Sequence, residues 1–157
     1  VQCAVFEARG FGLIPRPARE EIMKIHEVPG VLVMEWNDQG KVVVDTWLKY
    51  TIKTAEFREA ILKKGVAYAK ARGARAWVVD SSKATGTYAQ EVQDLIAKEV
   101  FKAFAAIGIK YFITIKSGSA ITNLAFNRVT SQLGPCGIQM VEVPDLKTAL
   151  TWLREHP

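Results

Sequence analysis

Cysteine and histidine are scarce in this chain, two of each among 157 residues. Cys3 and Cys136 stand near opposite ends in no metal-binding or redox spacing, which supports neither a disulfide scaffold nor a sequence-encoded zinc site. Two free thiols in a reducing, cytoplasmic setting are the expectation, with a single Cys3–Cys136 bridge as the alternative. His26 and His156 lie far apart and neither has an evident partner, so no histidine-centred triad can be built; both are expected at the surface. Long apolar runs are missing too, since none approaches the roughly 20 residues that a membrane-spanning helix needs. The phosphate-cradling P-loop, the glycine fingerprint of dinucleotide sites, the nucleophile elbow of hydrolases and the paired histidines of zinc proteases are all absent. No cofactor is implied, and any catalysis would belong to an enzyme type without a sequence signature.

What is present is a globular composition, 49% apolar and 24% charged, in a length that one domain fills. The first 22 residues stand apart. Glu7 and Arg9 interrupt their apolar residues, and Pro15 and Pro17 follow, unlike an export signal. Arg19-Glu20-Glu21-Ile22-Met23 is what a purine-rich ribosome-binding site and a start codon give when translated in frame. Natural translation is therefore expected to start at Met23, with residues 1–22 loosely ordered and one α/β domain over residues 23–157.

The net charge of +5 is concentrated between Lys49 and Arg75, where eight basic residues meet only Glu56 and Glu59. Such a stretch can attract an acidic or phosphate-rich partner, but it also fits a solvated helix face. Nucleic-acid binding asks for exposed aromatics between the basic residues, and Phe57 and Tyr68 fall on the expected core face instead.

Val31 to Trp36 and Val42 to Trp47 are strand-like runs. Asn37-Asp38-Gln39-Gly40 between them is turn chemistry, in which Asn and Asp tolerate tight turns and Gly accepts a positive φ, so the pair reads as a hairpin. Thr54 to Arg72 reads as a helix capped by Thr54 and stopped by Gly73, with Phe57, Ala60, Ile61, Ala67, Tyr68 and Ala71 facing the core. Glu59 and Lys63 form an outward i,i+4 pair. Ala76 to Asp80 is a short buried strand. A second helix runs from about Tyr88 to Ile107, opened by a Thr87/Gln90 capping box and carrying Val92, Leu95, Ile96, Val100, Phe101 and Phe104 inward. Tyr111 to Ile115, a helix from about Ala120 to Leu133, a strand from Ile138 to Val143 and a helix capped by Asp145 complete the chain. The order β-β-α-β-α-β-α-β-α implies right-handed crossovers and a mainly parallel five-stranded sheet, with one N-terminal hairpin strand and four helices.

In an open α/β sheet, ligands gather beyond the carboxyl ends of the strands. That rule selects Trp47, Lys49 and Tyr50 after one strand, Asp80, Ser81, Ser82, Lys83, Thr85, Gly86 and Thr87 after the next, and Lys116, Ser117, Gly118 and Ser119 after a third. The Asp80–Thr87 loop is the most polar of these and leads to a helix start, whose amides favour a small anion or phosphoryl group. Ordinary turn and cap chemistry explains the same composition. Ser82 beside Lys83 lacks the desolvated contact that a serine–lysine pair needs.

The layout, together with Ala76-Trp77-Val78-Val79-Asp80-Ser81-Ser82-Lys83-Ala84 and the closing Thr148-Ala149-Leu150-Thr151-Trp152-Leu153, resembles the SpoIIAA-like fold of STAS domains and anti-sigma-factor antagonists over residues 23–157. The first run is similar to the family's strand ending in Asp-x-Ser-x-apolar, and the second to its terminal helix. The antagonists' phosphorylatable Asp-Ser-x-Gly segment is replaced here by Thr85-Gly86-Thr87-Tyr88-Ala89-Gln90, so their phospho-switch is not carried over. The resemblance implies a non-enzymatic regulatory or protein-interaction module with a protein partner, contacting it through Asp80, Ser81, Ser82, Thr85, Thr87 and the second helix. Small-ligand binding, of a nucleotide or lipid in a pocket bordered by Trp47, Tyr50 and Ser117, is the alternative.

Overall fold

The computed structural model describes residues 22–131 and 133–157. Its sheet has six strands, β1 (Ile22–Val28), β2 (Leu32–Asn37), β3 (Val42–Trp47), β4 (Ala76–Asp80), β5 (Tyr111–Ile115) and β6 (Gln139–Val143), laid side by side in chain order. The α/β class is as expected, but the sheet is neither five-stranded nor mainly parallel. β1, β2 and β3 pair antiparallel, and only β3 to β6 pair parallel.

The unexpected strand is β1. Its pairing skips a residue between Lys24, opposite Glu35, and His26, opposite Met34, so Ile25 is bulged out of register. A bulge breaks the period-two alternation by which a strand is recognised, and charged Lys24 and Glu27 blunt the open edge. His26 is accordingly a half-buried strand residue rather than a surface residue ahead of the core. Ile22 is the first residue of this strand; the readings of residues 1–21, including the state of Cys3, lie outside the described residues.

The β2–β3 hairpin forms as the turn residues require, with Asn37 Oδ1 accepting from the Gly40 amide at 2.8 Å. The positive φ of this turn falls on Lys41, at 51°, not on Gly40.

Four helices cover the sheet. α1 spans residues 54–72, with α-helical ends (Thr54–Phe57 and Val66–Arg72) around a π-helical middle (Arg58–Gly65). α2 spans residues 90–106 in the same manner, with Ile96–Val100 π-helical. α3 is Ala120–Thr130 and α4 is Leu146–Glu155. The wider π turn moves the inward stripe of α1. Phe57, Ala60 and Ile61 are buried as expected, but beyond them Gly65 and Ala69 point inward, while Ala67 and Ala71 are exposed. One residue is absorbed by the i→i+5 turn, so a stripe laid out at 3.6 residues per turn runs out of phase. Gly65 suits this position because an added Cβ would press on Met34 Cε and stand 2.7 Å from Trp77 Cη2.

Two expected caps do not form. Lys53 precedes α1 and makes no side-chain cap, while Thr54 Oγ1 donates to Glu91 at 3.3 Å. α2 starts after Ala89, and Gln90 donates to Asp94 at 3.0 Å instead of closing a box with Thr87. Gly73 stops α1 at a φ of 69°, and Asp145 caps α4 by accepting from the Thr148 amide at 2.7 Å.

Side chains of β3 alternate between two cores. Val43 and Trp47 join the larger core beneath α1, α2 and α3, whereas Val42 and Val44 join a smaller one with Ala149 and Leu153 of α4. The first three helices thus share one face of the sheet and the terminal helix covers the other. No helix among the described residues is long and apolar enough to cross a membrane.

Candidate functional site

The parallel pairing of β3 with β4 and β5 puts the segments after these strands side by side at the carboxyl rim, as the sequence rule requires. Short backbone contacts extend the sheet there. The Tyr50 amide donates to Thr85 O at 2.9 Å, and the Thr85 amide donates to Leu48 O at 3.1 Å. The expected site residues are therefore brought together, but Trp47, Tyr50, Ser81 and Ser117 turn inward.

Ser81 is buried, and its hydroxyl bonds the hydroxyl of buried Tyr50. Ser117 is buried, donates to Ala84 O at 2.7 Å and accepts from the Ser119 amide at 3.0 Å. Thr122 of α3 donates to Gly86 O at 2.8 Å. These bonds satisfy loop carbonyls that would otherwise be stranded away from water, and they lock the three rim segments to one another. Asp80 closes a local turn, accepting from the amide and hydroxyl of Ser82 at 3.0 and 2.7 Å. Trp47 is part of the core, stacked on Phe57 and edge-on to Tyr88. Of the expected site residues, Ser82 and Thr85 are exposed, and Asp80 and Thr87 are half-buried.

Apolar groups join them at this rim. Leu48 is exposed, and Ile121 and Leu124, one turn apart on α3, are 72% and 65% exposed. Lys49 and Lys83 are exposed nearby, and neither has an ion-pair partner among the described residues. Part of the basic stretch between Lys49 and Arg75 is engaged elsewhere. Arg58 pairs with Glu99 at 2.8 Å, Lys63 with Glu59 at 3.3 Å, and Arg75 donates to Leu153 O and His156 O at the end of α4.

Below the rim, in the larger core, lies a residue that the sequence reading passed over. Asp45 is fully buried on β3, in one row with Val79 and Thr114 on the neighbouring parallel strands. Trp77 Nε1 donates to its Oδ2 at 2.7 Å, while its Oδ1 has no partner among the described residues. Burial raises its carboxyl from the ordinary value to about 8, against the smaller lowering effect of the Trp77 bond, so it is protonated at neutral pH. Asp45 borders a cavity of about 40 Å³, walled by Trp47, Phe57, Trp77, Tyr88 and Phe101 among others. The signal was a lone carboxylate within Val42-Val43-Val44-Asp45-Thr46-Trp47, a run that otherwise reads as buried strand.

Among the described residues, no group of three His, Cys, Asp or Glu side chains is placed to hold a metal ion. In comparisons with known proteins, the chain matches no family model, no curated protein and no solved structure.

Proposed function

We propose that the chain is a non-enzymatic, STAS-like interaction module that docks a protein partner on the carboxyl rim of its sheet. The observation that carries this reading is the contrast at the rim. Ser117 and Thr122 are spent inward on loop carbonyls, while Leu48, Ile121 and Leu124 are exposed on a rim that also exposes Lys49 and Lys83. Large exposed apolar side chains near exposed charge suit a protein contact, because burying them against a partner removes apolar surface from water. The complementary partner presents apolar residues bordered by carboxylates. Two further features are in keeping with the STAS-like reading, the Asp80-Ser81-Ser82 strand end and the closing α4 with Trp152 and Leu153. The inward Ser81 and Ser117, with their hydrogen bonds internal, fit a docking scaffold better than a nucleotide pocket.

The test compares proteins recovered from a native extract by the wild-type chain, by Ile121→Asp/Leu124→Asp and by a control, Lys64→Glu on the exposed side of α1. Docking at the rim predicts a protein recovered by wild type and control but not by the double variant. Identical recovery by all three chains, or recovery of nothing, removes the proposal.

A further inference from the structure

We propose that the cavity beside Asp45 is a binding site for a small alkylammonium cation, of about the size of methylammonium or ethylammonium. The geometry states what the occupant must offer. One carboxyl oxygen, Asp45 Oδ1, is buried without a partner, while the other is held by Trp77. Among the described residues the walls are otherwise aromatic or aliphatic, and the further side-chain polar atoms belong to Trp47 and Tyr88.

A water molecule held inside a protein finds two to four polar partners, but it brings no charge to balance a carboxylate. A cation gains from both parts of the wall. Its N–H group satisfies the carboxylate, and the aromatic side chains of the wall lie close to its remaining charge. Trp77 stacked on Phe104 at 4.2 Å and Trp47 edge-on to Tyr88 at 5.6 Å show how densely rings gather here. Size sets the limit. Room of about 40 Å³ corresponds to roughly three water-sized groups, which admits one or two carbons beside the nitrogen and excludes a quaternary ammonium with four methyl groups.

Binding has a proton balance. At pH 7 Asp45 carries a proton, and an incoming cation displaces it to the buffer, leaving a carboxylate–ammonium pair in the cavity. Among the described residues, Tyr88 is the only other ionisable one lining the cavity, and Tyr50 packs against it. Burial pushes both phenols upward, so neither releases a proton in this range. Because Asp45 sits only about one unit above neutrality, its deprotonation weakens binding roughly tenfold at pH 7, a modest penalty.

The experiment uses the full chain with methylammonium chloride as probe, against sodium chloride at equal ionic strength and against methanol and tetramethylammonium chloride. At a hundredfold excess over the dissociation constant, methylammonium should raise the melting temperature by roughly 5–10 °C. None of the three controls should, and Asp45→Asn should abolish the rise. Calorimetry of the wild type in buffers of different ionisation enthalpy should show about one proton released per cation at pH 7 and close to none at pH 9.5. This readout stands even if the variant does not fold. Equal shifts from methanol, a shift retained in Asp45→Asn, cation uptake without proton release at pH 7, or no response to methylammonium at 100 mM would each overturn the site. The rim proposal would be untouched by any of these results.

Discussion

The indole nitrogen of Trp77 donates to Oδ2 of Asp45 across 2.7 Å, and this is the single hydrogen bond that the buried carboxyl makes among the described residues. The two residues sit on adjacent parallel strands, β4 and β3, and face the same three helices. A carboxyl so placed is held by one donor in an otherwise apolar wall, which is why burial outweighs the bond in setting its protonation.

The stability of the protein should therefore depend on pH in an unusual direction. The unfolded chain releases the Asp45 proton near pH 4, and the folded chain keeps it up to about pH 8. Between these values the folded state holds the extra proton, so stability falls as pH rises, by at most about 1.4 kcal/mol per unit, and levels off above about pH 8. Asp45→Asn removes this dependence. Its amide keeps an acceptor for Trp77 but leaves an unpartnered N–H, so the net gain at pH 8 is on the order of 2–4 kcal/mol. Urea titrations of both chains at pH 5 and pH 8 check this. A wild type equally stable at both, or an Asn variant with the same slope, contradicts the assignment.

Trp77→Phe takes away the donor and keeps most of the ring. Without the one bond that favours its ionised form, Asp45 should hold its proton beyond pH 8, moving the alkaline end of the stability curve upward. The variant should also lose about 1–3 kcal/mol near neutrality through the stranded acceptor and the smaller ring. Chemical denaturation across pH 5 to 10 measures both effects.

Gly65→Ala tests the π-helical packing of α1. A methyl group there meets Met34 and Trp77, so overpacking of about 1–3 kcal/mol outweighs the gain of up to about 1 kcal/mol in helix propensity. A net loss of stability by urea melting is expected. Stabilisation would mean that the helix does not approach the sheet as closely as described.

Ser117→Ala removes both the donor to Ala84 O and the acceptor for the Ser119 amide. Because these partners have little access to water, the expected loss is roughly 1–3 kcal/mol. Amide exchange should rise locally over residues 84–87 and 117–122, with β3 and β4 keeping their protection. Uniform acceleration across the sheet would show that the rim is not a separable unit.

The sequence by itself determined the existence and order of the helices and of five of the six strands, because their apolar runs are separated by turn, cap and stop residues with a local physical role. Asp145 caps, Gly73 stops, and Asn37 turns the chain through contacts within a few positions of themselves. It also determined that the Asp80 loop lies at the carboxyl rim, since parallel strands joined by helices leave little choice. Tertiary structure decided the rest. β1 is a strand only because β2 offers it a pairing edge, and its bulge hides it from any periodic reading. The π turns rotate the lower half of α1 by packing against Met34 and Trp77, which no local rule encodes. Whether Ser81, Ser117 and Tyr50 faced a ligand or each other depended on contacts between residues about 30 or more positions apart. Asp45 became an acid in an aromatic cavity only when three helices closed over its face of the sheet, because a carboxyl's ionisation is set by what surrounds it in space and not by its neighbours in the chain.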